Sequence, residues 1–346
     1  MLEGFWYIAA ESCHIRPGRL VGTTLLNHPL VLFRDRSRTV HALEDRCPHR
    51  GVPLSAGWHE GDSIRCRYHG WRFASSGSCV EVPSLADGLP PTSTCARSYS
   101  VQEQDGWVWV YIDHDPGAKP ITAPPLLPSA SKAGRLSTAR ASVRINARMD
   151  FVVDSLVDPA HVPFVHNRFF RQKRIAKLKE KEFTRLPLGF RTVSEKTQLP
   201  NTFVFRILGA GAKEATTSVD FFLPGIHLET LQVGQRFGSI MLIATPLTSE
   251  TTRLDITVGW NFLQWLAPLS RLLVRLTART TLGQDRAILE LQEQGNRQTS
   301  TMNVGLEMDT LAVWYRRLKK YHLNQQAGMS NLEHPVPERT TLRWIT

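Results

Sequence analysis

Two short segments constrain this chain more than any others: Cys47-Pro-His49-Arg-Gly51 and Cys66-Arg-Tyr-His69-Gly70-Trp71. Each supplies one thiol and one imidazole, and sixteen residues, Arg50 to Arg65, separate His49 from Cys66. The fold has to bring two loops to one place, where four such donors can enclose a metal centre. A zinc ion accepts two thiolates and two imidazoles, but zinc fingers pair their Cys on one loop and their His on another. One Cys and one His from each loop suit a [2Fe–2S] cluster with both thiolates on one iron and both imidazoles on the other. A neutral imidazole in place of a thiolate makes such a cluster less negative and raises its potential. Gly51 and Gly70 allow tight loops near the cluster, and Pro48 stiffens the first.

The cysteine count agrees with a local metal site. Five Cys is an odd number, and all of them (Cys13, Cys47, Cys66, Cys79 and Cys95) fall in the first third of the chain. A disulfide framework would use an even count and spread it, so a reducing compartment fits better. Cys13, Cys79 and Cys95 are expected to be buried apolar residues. His14, His28, His41 and His59 have no second ligand at a supporting spacing and read as surface or satisfied histidines.

The 346 residues exceed one ordinary core and suggest two domains. Residues 1–115 carry β signals, among them Val31–Phe33, Val40–Leu43 and Trp107–Ile112, and read as a small all-β domain. Five prolines between Pro116 and Pro128 mark a linker over 116–140. Residues 141–346 form the second domain, mainly strands over 187–260, with helices expected over 281–294 and 308–322. The charge is uneven. Residues 1–115 hold 11 Lys+Arg against 13 Asp+Glu, so the net +11 belongs to the second part. No apolar run reaches the roughly 20 residues that span a bilayer, and the start lacks the pattern of a secretory signal.

The second constellation is Asp154-Ser-Leu-Val-Asp158-Pro-Ala-His161-Val-Pro-Phe-Val-His166. Two His with one carboxylate form the facial triad of non-haem Fe(II) oxygenases, which leaves positions open for O₂ and substrate. His161 and His166 lie five apart with Pro163 between them, so a Pro-distorted helix could converge both on a metal; two incidental histidines on a helix is the plain alternative.

The first motif resembles the Rieske family. With the second constellation at this distance, nearly the whole chain resembles the terminal oxygenase component of Rieske non-haem iron oxygenases. That resemblance implies an N-terminal all-β Rieske domain and an α+β catalytic domain whose antiparallel sheet is flanked by helices. It implies cluster ligation by Cys47, His49, Cys66 and His69, and mononuclear iron on His161 and His166. The segment Gly283-Gln-Asp285-Arg-Ala-Ile-Leu-Glu290 resembles the late helix that completes the triad, so Asp285 is the implied third ligand, with Glu290, Glu293 and Asp255 as competitors. Asp158 is implied to join His69 of one subunit to His161 of the next, fixing both rings and shortening the electron path, so the architecture implies a homotrimeric ring. The chain departs from many relatives at Asp154-Ser155, where an amide is usual.

The run Leu156 to His166 resembles the chlorophyllide a oxygenase and pheophorbide a oxygenase branch, which also holds bacterial enzymes of secondary metabolism and acts on large, apolar, ring-containing molecules. The absence of a late C-x-x-C, a transit peptide and a C-terminal anchor points to a bacterial, cytoplasmic enzyme. Phe203, Phe205, Phe221, Phe222 and Met241 are candidates for the pocket wall or for the sheet core. The expected function is O₂-dependent hydroxylation, desaturation, demethylation or cyclisation; the alternative is a Rieske electron carrier or a scaffold with a non-catalytic second domain. No Gly-rich dinucleotide fingerprint is present, so NAD(P)H acts only through a separate reductase or ferredoxin. Residues 168–182 hold seven basic and two acidic residues. They read as a solvated face or a docking site for an acidic ferredoxin, and no nucleic-acid module accompanies them. Residues 260–282, with Arg271, Arg275 and Arg279 on one helical face, read as an amphipathic helix packed on the domain, with peripheral membrane contact less favoured.

Overall fold

The computed structural model describes residues 1–86, 94–115, 117–126, 136–166, 178–198, 214–298 and 307–345. The chain divides into two compact units: Met1–Leu126 with Leu247–Ser249, and Leu127–Pro246 with Glu250–Thr346.

The first unit is built from strands β1 (Phe5–Glu11), β2 (Val21–Leu25), β3 (His28–Arg34), β4 (Val40–Glu44), β5 (Trp58–His59), β6 (Ser63–Arg65), β7 (Arg72–Ala74), β8 (Cys79–Glu81), β9 (Ser98–Tyr99), β10 (Val101–Gln104) and β11 (Trp107–Ile112). They form three sheets, ordered β1-β11-β10, β2-β3-β4-β9 and β5-β6-β7-β8. The near-continuous apolar run of β11 follows from its place: it is the central strand of its sheet, and only Tyr111 is not fully buried. Cys79 is buried, but Cys13 and Cys95 are exposed, so the expectation of three buried apolar cysteines fails for two. Cys13 sits in a surface 3-10 turn (Ser12–His14), which no strand face covers.

The second unit is an eight-stranded antiparallel sheet with three long helices among its described residues. Its strands are β12 (Ser137–Ile145), β13 (Leu178–Leu186), β14 (Gly189–Gln198), β15 (Glu214–Phe222), β16 (Ile226–Val233), β17 (Arg236–Pro246), β18 (Thr252–Trp260) and β19 (Arg339–Ile345), ordered β12-β18-β17-β16-β15-β14-β13-β19. The helices are α1 (Met149–Val157), the single turn α2 (Val162–Val165), α3 (Ala267–Gln298) and α4 (Thr310–Gln326). The all-β unit followed by an α+β unit is therefore the fold expected from the sequence. Phe203 and Phe205 lie outside the described residues, as does most of the basic stretch 168–182.

Helix α3 buries Ala278, Leu282, Asp285, Leu289 and Glu293, a spacing of three to four that keeps one stripe on the sheet. No side chain of α3 before Ala278 is buried. Over those first turns Leu269, Leu272, Leu273 and Leu276 are exposed, and Trp265 just ahead of them is 80% exposed. The expectation that residues 260–282 pack on the domain is thus met at their two ends, at Trp260 and at Ala278 and Leu282, and not over the first turns of α3. Among the described residues no helix is long and apolar enough to cross a membrane.

Helix α1 is held to α4 by charge. Asp150 accepts from Lys319 Nζ at 2.7 Å and from Tyr315 Oη at 2.7 Å, and Arg316 donates to Asp154. Burial pushes Asp154 up to about 6 even with the Arg316 guanidinium against it, and the neighbouring Asp150 adds to the rise. A carboxyl whose folded value lies above its ordinary 3.8 contributes stability below that ordinary value and loses it as pH rises through about 6. Asp154→Asn should flatten this dependence. Between pH 4 and 7 the wild-type protein should lose up to about 3 kcal/mol more unfolding free energy than the variant. Urea denaturation at several pH values checks this, and parallel pH profiles would contradict it.

Candidate metal centres

The two loops of the first unit are near copies of each other. The Cys47 carbonyl accepts from Gly51 N–H at 2.8 Å, and the Cys47 N–H donates to the Val52 carbonyl at 2.8 Å. In the second loop the Cys66 carbonyl accepts from Gly70 N–H at 3.1 Å, and the Cys66 N–H donates to the Trp71 carbonyl at 2.8 Å. Both glycines turn the chain at positive φ, +74° and +73°, where an L side chain is strained. Sequence spacing alone did not reveal this duplication, because the first loop carries one residue between Cys and His and the second carries two.

The thiols and the imidazoles face different ways. Cys47 and Cys66 are buried, while His49 is exposed and His69 half-buried. The His49 ring stacks on Trp71 with centroids 4.6 Å apart, and the two imidazoles lie 4.7 Å apart. Burial pushes the Cys47 thiol up to about 11, and the adjacent Cys66 adds to it, so its thiolate needs a cation beside it. Among the described residues, three ligand atoms of separate side chains come within 4.8 Å of one another at Glu11–Cys13–His14, which is largely exposed, and at His161–His166–Asp285; the Cys47–His49–Cys66–His69 quartet is not such a group. Four ligands on one tetrahedral zinc would converge on a point. A buried thiol pair and an outer imidazole pair, spaced apart, suit the two ends of a [2Fe–2S] cluster.

The second centre is built where α1 stops. Pro159 disfavours a helical Asp158, which takes an extended ψ of 107°, and the helix ends at Val157. Four residues later the chain makes the single turn α2, bracketed by His161 and His166, so the two rings meet edge-on with centroids 5.5 Å apart. Asp285 projects from the buried stripe of α3. Its Oδ1 lies 3.1 Å from His166 Nε2 and 3.9 Å from His161 Nε2. The competitors are engaged elsewhere: Glu290 with Asn146, Glu293 with Arg148, and Asp255 with Ser142 and Arg253.

The hydrogen bonds behind these rings decide which nitrogen faces inward. His161 Nδ1 donates to the Asp158 carbonyl at 2.6 Å, and His166 Nδ1 donates to Gln284 Oε1 at 3.0 Å. With the proton fixed on each Nδ1, neutral imidazoles present Nε2 lone pairs to the Asp285 carboxylate. Asp285 Oδ1 is itself buried and accepts no hydrogen bond among the described residues. Neutral imidazole lone pairs brought this close to a carboxylate are the setting for a cation, and the donor set is that of a non-haem Fe(II) site. The Asp158 carboxylate does not hold the His161 ring directly: Oδ1 accepts from Ala160 N–H at 2.7 Å, and Oδ2 stays 3.9 Å from His161 Nδ1. Gln284 escaped the sequence reading; its position beside Asp285 was the available signal.

These residues open onto a cavity of about 460 Å³ lined by His161, His166, Asp285 and apolar side chains including Leu156, Phe183, Leu242 and Leu282. Phe221, Phe222 and Met241 do not line it. Met241 points to the other face of β17 from Ile240 and Leu242, which do. Phe221 is fully buried, stacked on Phe190 and set edge-on to Tyr315.

Residues 5–100 match the family model of the Rieske [2Fe-2S] domain. Residues 145–325, just over half of the chain, match that of the vanillate O-demethylase oxygenase C-terminal domain. The chain belongs to the Rieske non-haem iron oxygenase family. Members of that family carry a Rieske cluster and a mononuclear iron that works with O₂, and the donor sets described above fit both groups.

Among the Rieske oxygenase relatives, the toluene-4-sulfonate monooxygenase system iron-sulfur subunit TsaM1 of Comamonas testosteroni is 38% identical over 165 residues, covering 48% of this chain and 46% of that protein. Chlorophyllide a oxygenase of Chlamydomonas reinhardtii is 28% identical over 327 residues, covering 91% of this chain and 47% of that protein. The matched stretches thus span about half the length of these relatives. The crystal structure of dicamba monooxygenase bound to dicamba superposes with a TM-score of 0.78 at 23% identity, over 94% of this chain and 99% of that one, which shows the common fold.

Gln284→Leu should lower iron affinity at the second site by about 10- to 100-fold, the usual effect of removing a partner behind a metal-bound imidazole. Iron retained after dialysis against a weak chelator measures it, with cluster absorbance as the internal control; unchanged retention would remove Gln284 from the site. Gly70→Ala places a Cβ 3.1 Å from Pro83 Cγ at φ +73°. The strain should cost about 1–3 kcal/mol and show as reduced cluster occupancy in visible absorbance.

Proposed function

We propose that this chain is the terminal oxygenase component of a Rieske oxygenase system acting on a large, apolar, ring-containing substrate. The observation that carries the reading is the His161–His166–Asp285 group at the wall of an apolar cavity. In this reading Cys47 and Cys66 hold one iron of the [2Fe–2S] cluster, and His49 and His69 hold the other. His161, His166 and Asp285 hold the mononuclear iron. The cluster supplies single electrons, and the mononuclear iron supplies O₂ activation, for a hydroxylation, desaturation, demethylation or cyclisation.

The chain's own residues have the following tasks. The buried Cys47 and Cys66 keep the charged end of the cluster away from water, and the outward His49 and His69 form the end at which electrons enter and leave. The Asp158 carbonyl and Gln284 fix the imidazole tautomers of the second centre. The Asp158 side chain, 40% exposed, has an Oδ2 able to accept from the imidazole of the partner subunit's His69, in a homotrimeric ring. The exposed leucines of α3 favour an assembled chain over a solitary one, since apolar area of this kind in water is costly. Electrons come from an acidic ferredoxin or a ferredoxin reductase, with NAD(P)H oxidised on that separate protein. We place the protein in the cytoplasm of a bacterium, in keeping with five unpaired cysteines.

The test is a ligand series on the anaerobically loaded full chain. His161→Ala, His166→Ala and Asp285→Ala should each lose mononuclear iron and at least about 100-fold of O₂-dependent product formation while retaining the Rieske spectrum. Glu290→Ala should retain both. Full product formation by His161→Ala would contradict the oxygenase reading, and an active Asp285→Ala beside an inactive Glu290→Ala would move the third ligand.

A further inference from the structure

The cavity wall contains a charged group that the metal site does not use. The strand registers place Phe183, Thr192, Val219, Glu229 and Ile240 in one row across β13 to β17, on the face that forms the cavity floor. Lys181 precedes Phe183 by two residues on the same face, and His227 precedes Glu229 likewise. Lys181, Thr192, His227 and Glu229 all line the cavity, in a floor otherwise made of Val, Ile, Leu, Phe and Trp344.

Their arrangement is incomplete in a specific way. His227 Nε2 donates to Glu229 Oε1 at 3.0 Å, which leaves Oε2 free among the described residues. Lys181 feels the charge of Glu229, yet makes no ion pair or hydrogen bond among the described residues. Burial pushes the Lys181 ammonium down, as expected of a cation withdrawn from water without contact compensation. The Glu229 side chain keeps 48% of its surface accessible while lining the cavity. Two opposite charges thus share an apolar chamber without touching. The Trp344 indole N–H and the Thr192 hydroxyl, on the same wall, also lack partners among the described residues. Buried polar groups left this way are expensive unless a partner arrives.

We propose that Lys181 and Glu229 are specificity-determining residues that bind an uncharged head group able both to accept and to donate a hydrogen bond, such as a hydroxyl or carboxamide, on an otherwise apolar polycyclic substrate. The inference rests on the reading of this cavity as the substrate site. A carboxylate or sulfonate head meets repulsion from Glu229, and an ammonium head meets it from Lys181. A neutral group that accepts from Nζ and donates to Oε2 gains from both.

Equilibrium dialysis of the iron-loaded full chain with three probes, phenanthrene, 9-phenanthrol and phenanthrene-9-carboxylate, tests this. The wild-type protein should hold the phenanthrol at least about tenfold more tightly than either of the others. Lys181→Met and Glu229→Gln should each reduce that preference to less than about twofold. Phenanthrene binding and iron content should stay unchanged, which reports that each variant is folded. Equal binding of phenanthrene and phenanthrol, a preference for the carboxylate, or a preference that survives both substitutions would overturn the head-group assignment and leave the apolar substrate site standing. Failure of all three probes to bind would overturn the substrate-site reading and the head-group assignment with it.

Discussion

Two imidazole nitrogens and a carboxylate oxygen held together in a buried cavity repel one another unless a cation lies among them. Much of the second unit serves to impose that arrangement. The Asp158 carbonyl and the Gln284 amide take the Nδ1 protons, so the lone pairs at Nε2 point inward. Pro159 stops α1, a single turn carries His161 to His166, and the buried stripe of α3 delivers Asp285 from far along the chain. The α1–α4 charge network, with Asp150 and Asp154 against Tyr315, Arg316 and Lys319, anchors the helix from which the first of these ligands departs.

The cluster site solves a different problem with a different device. A thiol pair buried this deeply is inert as thiol, and an imidazole pair held side by side nearer the surface is positioned for exchange. Duplicate loops, each closed by a Gly at positive φ, each supply one Cys to the inner end and one His to the outer end. Chemistry separates the ends: sulfur inside, nitrogen outside. The same division explains why the sequence spacing, which mixes Cys and His on each loop, reads as a two-iron cluster in preference to a single ion.

The two Cys-His loops and the His161–His166 pair stood out in the sequence because their donors are rare residue types at short local spacings, whereas Asp285, 119 residues beyond His166, was named only through the resemblance. The all-β first unit was legible too, since Trp107–Ile112 carries an unmistakable apolar run. Other features depend on partners far apart in sequence. Gln284 acquires meaning only when α3 lies against α2, and the Lys181–Glu229 pair arises from strand registers that no local pattern encodes. Met241 illustrates the strand ambiguity: within Ile240–Met241–Leu242 hydropathy cannot say which residue faces the cavity, and the pleat turns the middle one away. Cys13 and Cys95 were misread as buried because burial was assigned from residue type alone, while both sit at exposed positions outside the cores.

Two donor sets of different kinds in one chain imply two iron centres. Iron and acid-labile sulfide can be measured per chain on anaerobically purified, iron-loaded protein, together with EPR of the dithionite-reduced sample. Two centres give about three iron per two sulfide, with a Rieske-type signal. About two iron per two sulfide after iron loading would leave the His161–His166–Asp285 site without its metal and rule the second centre out.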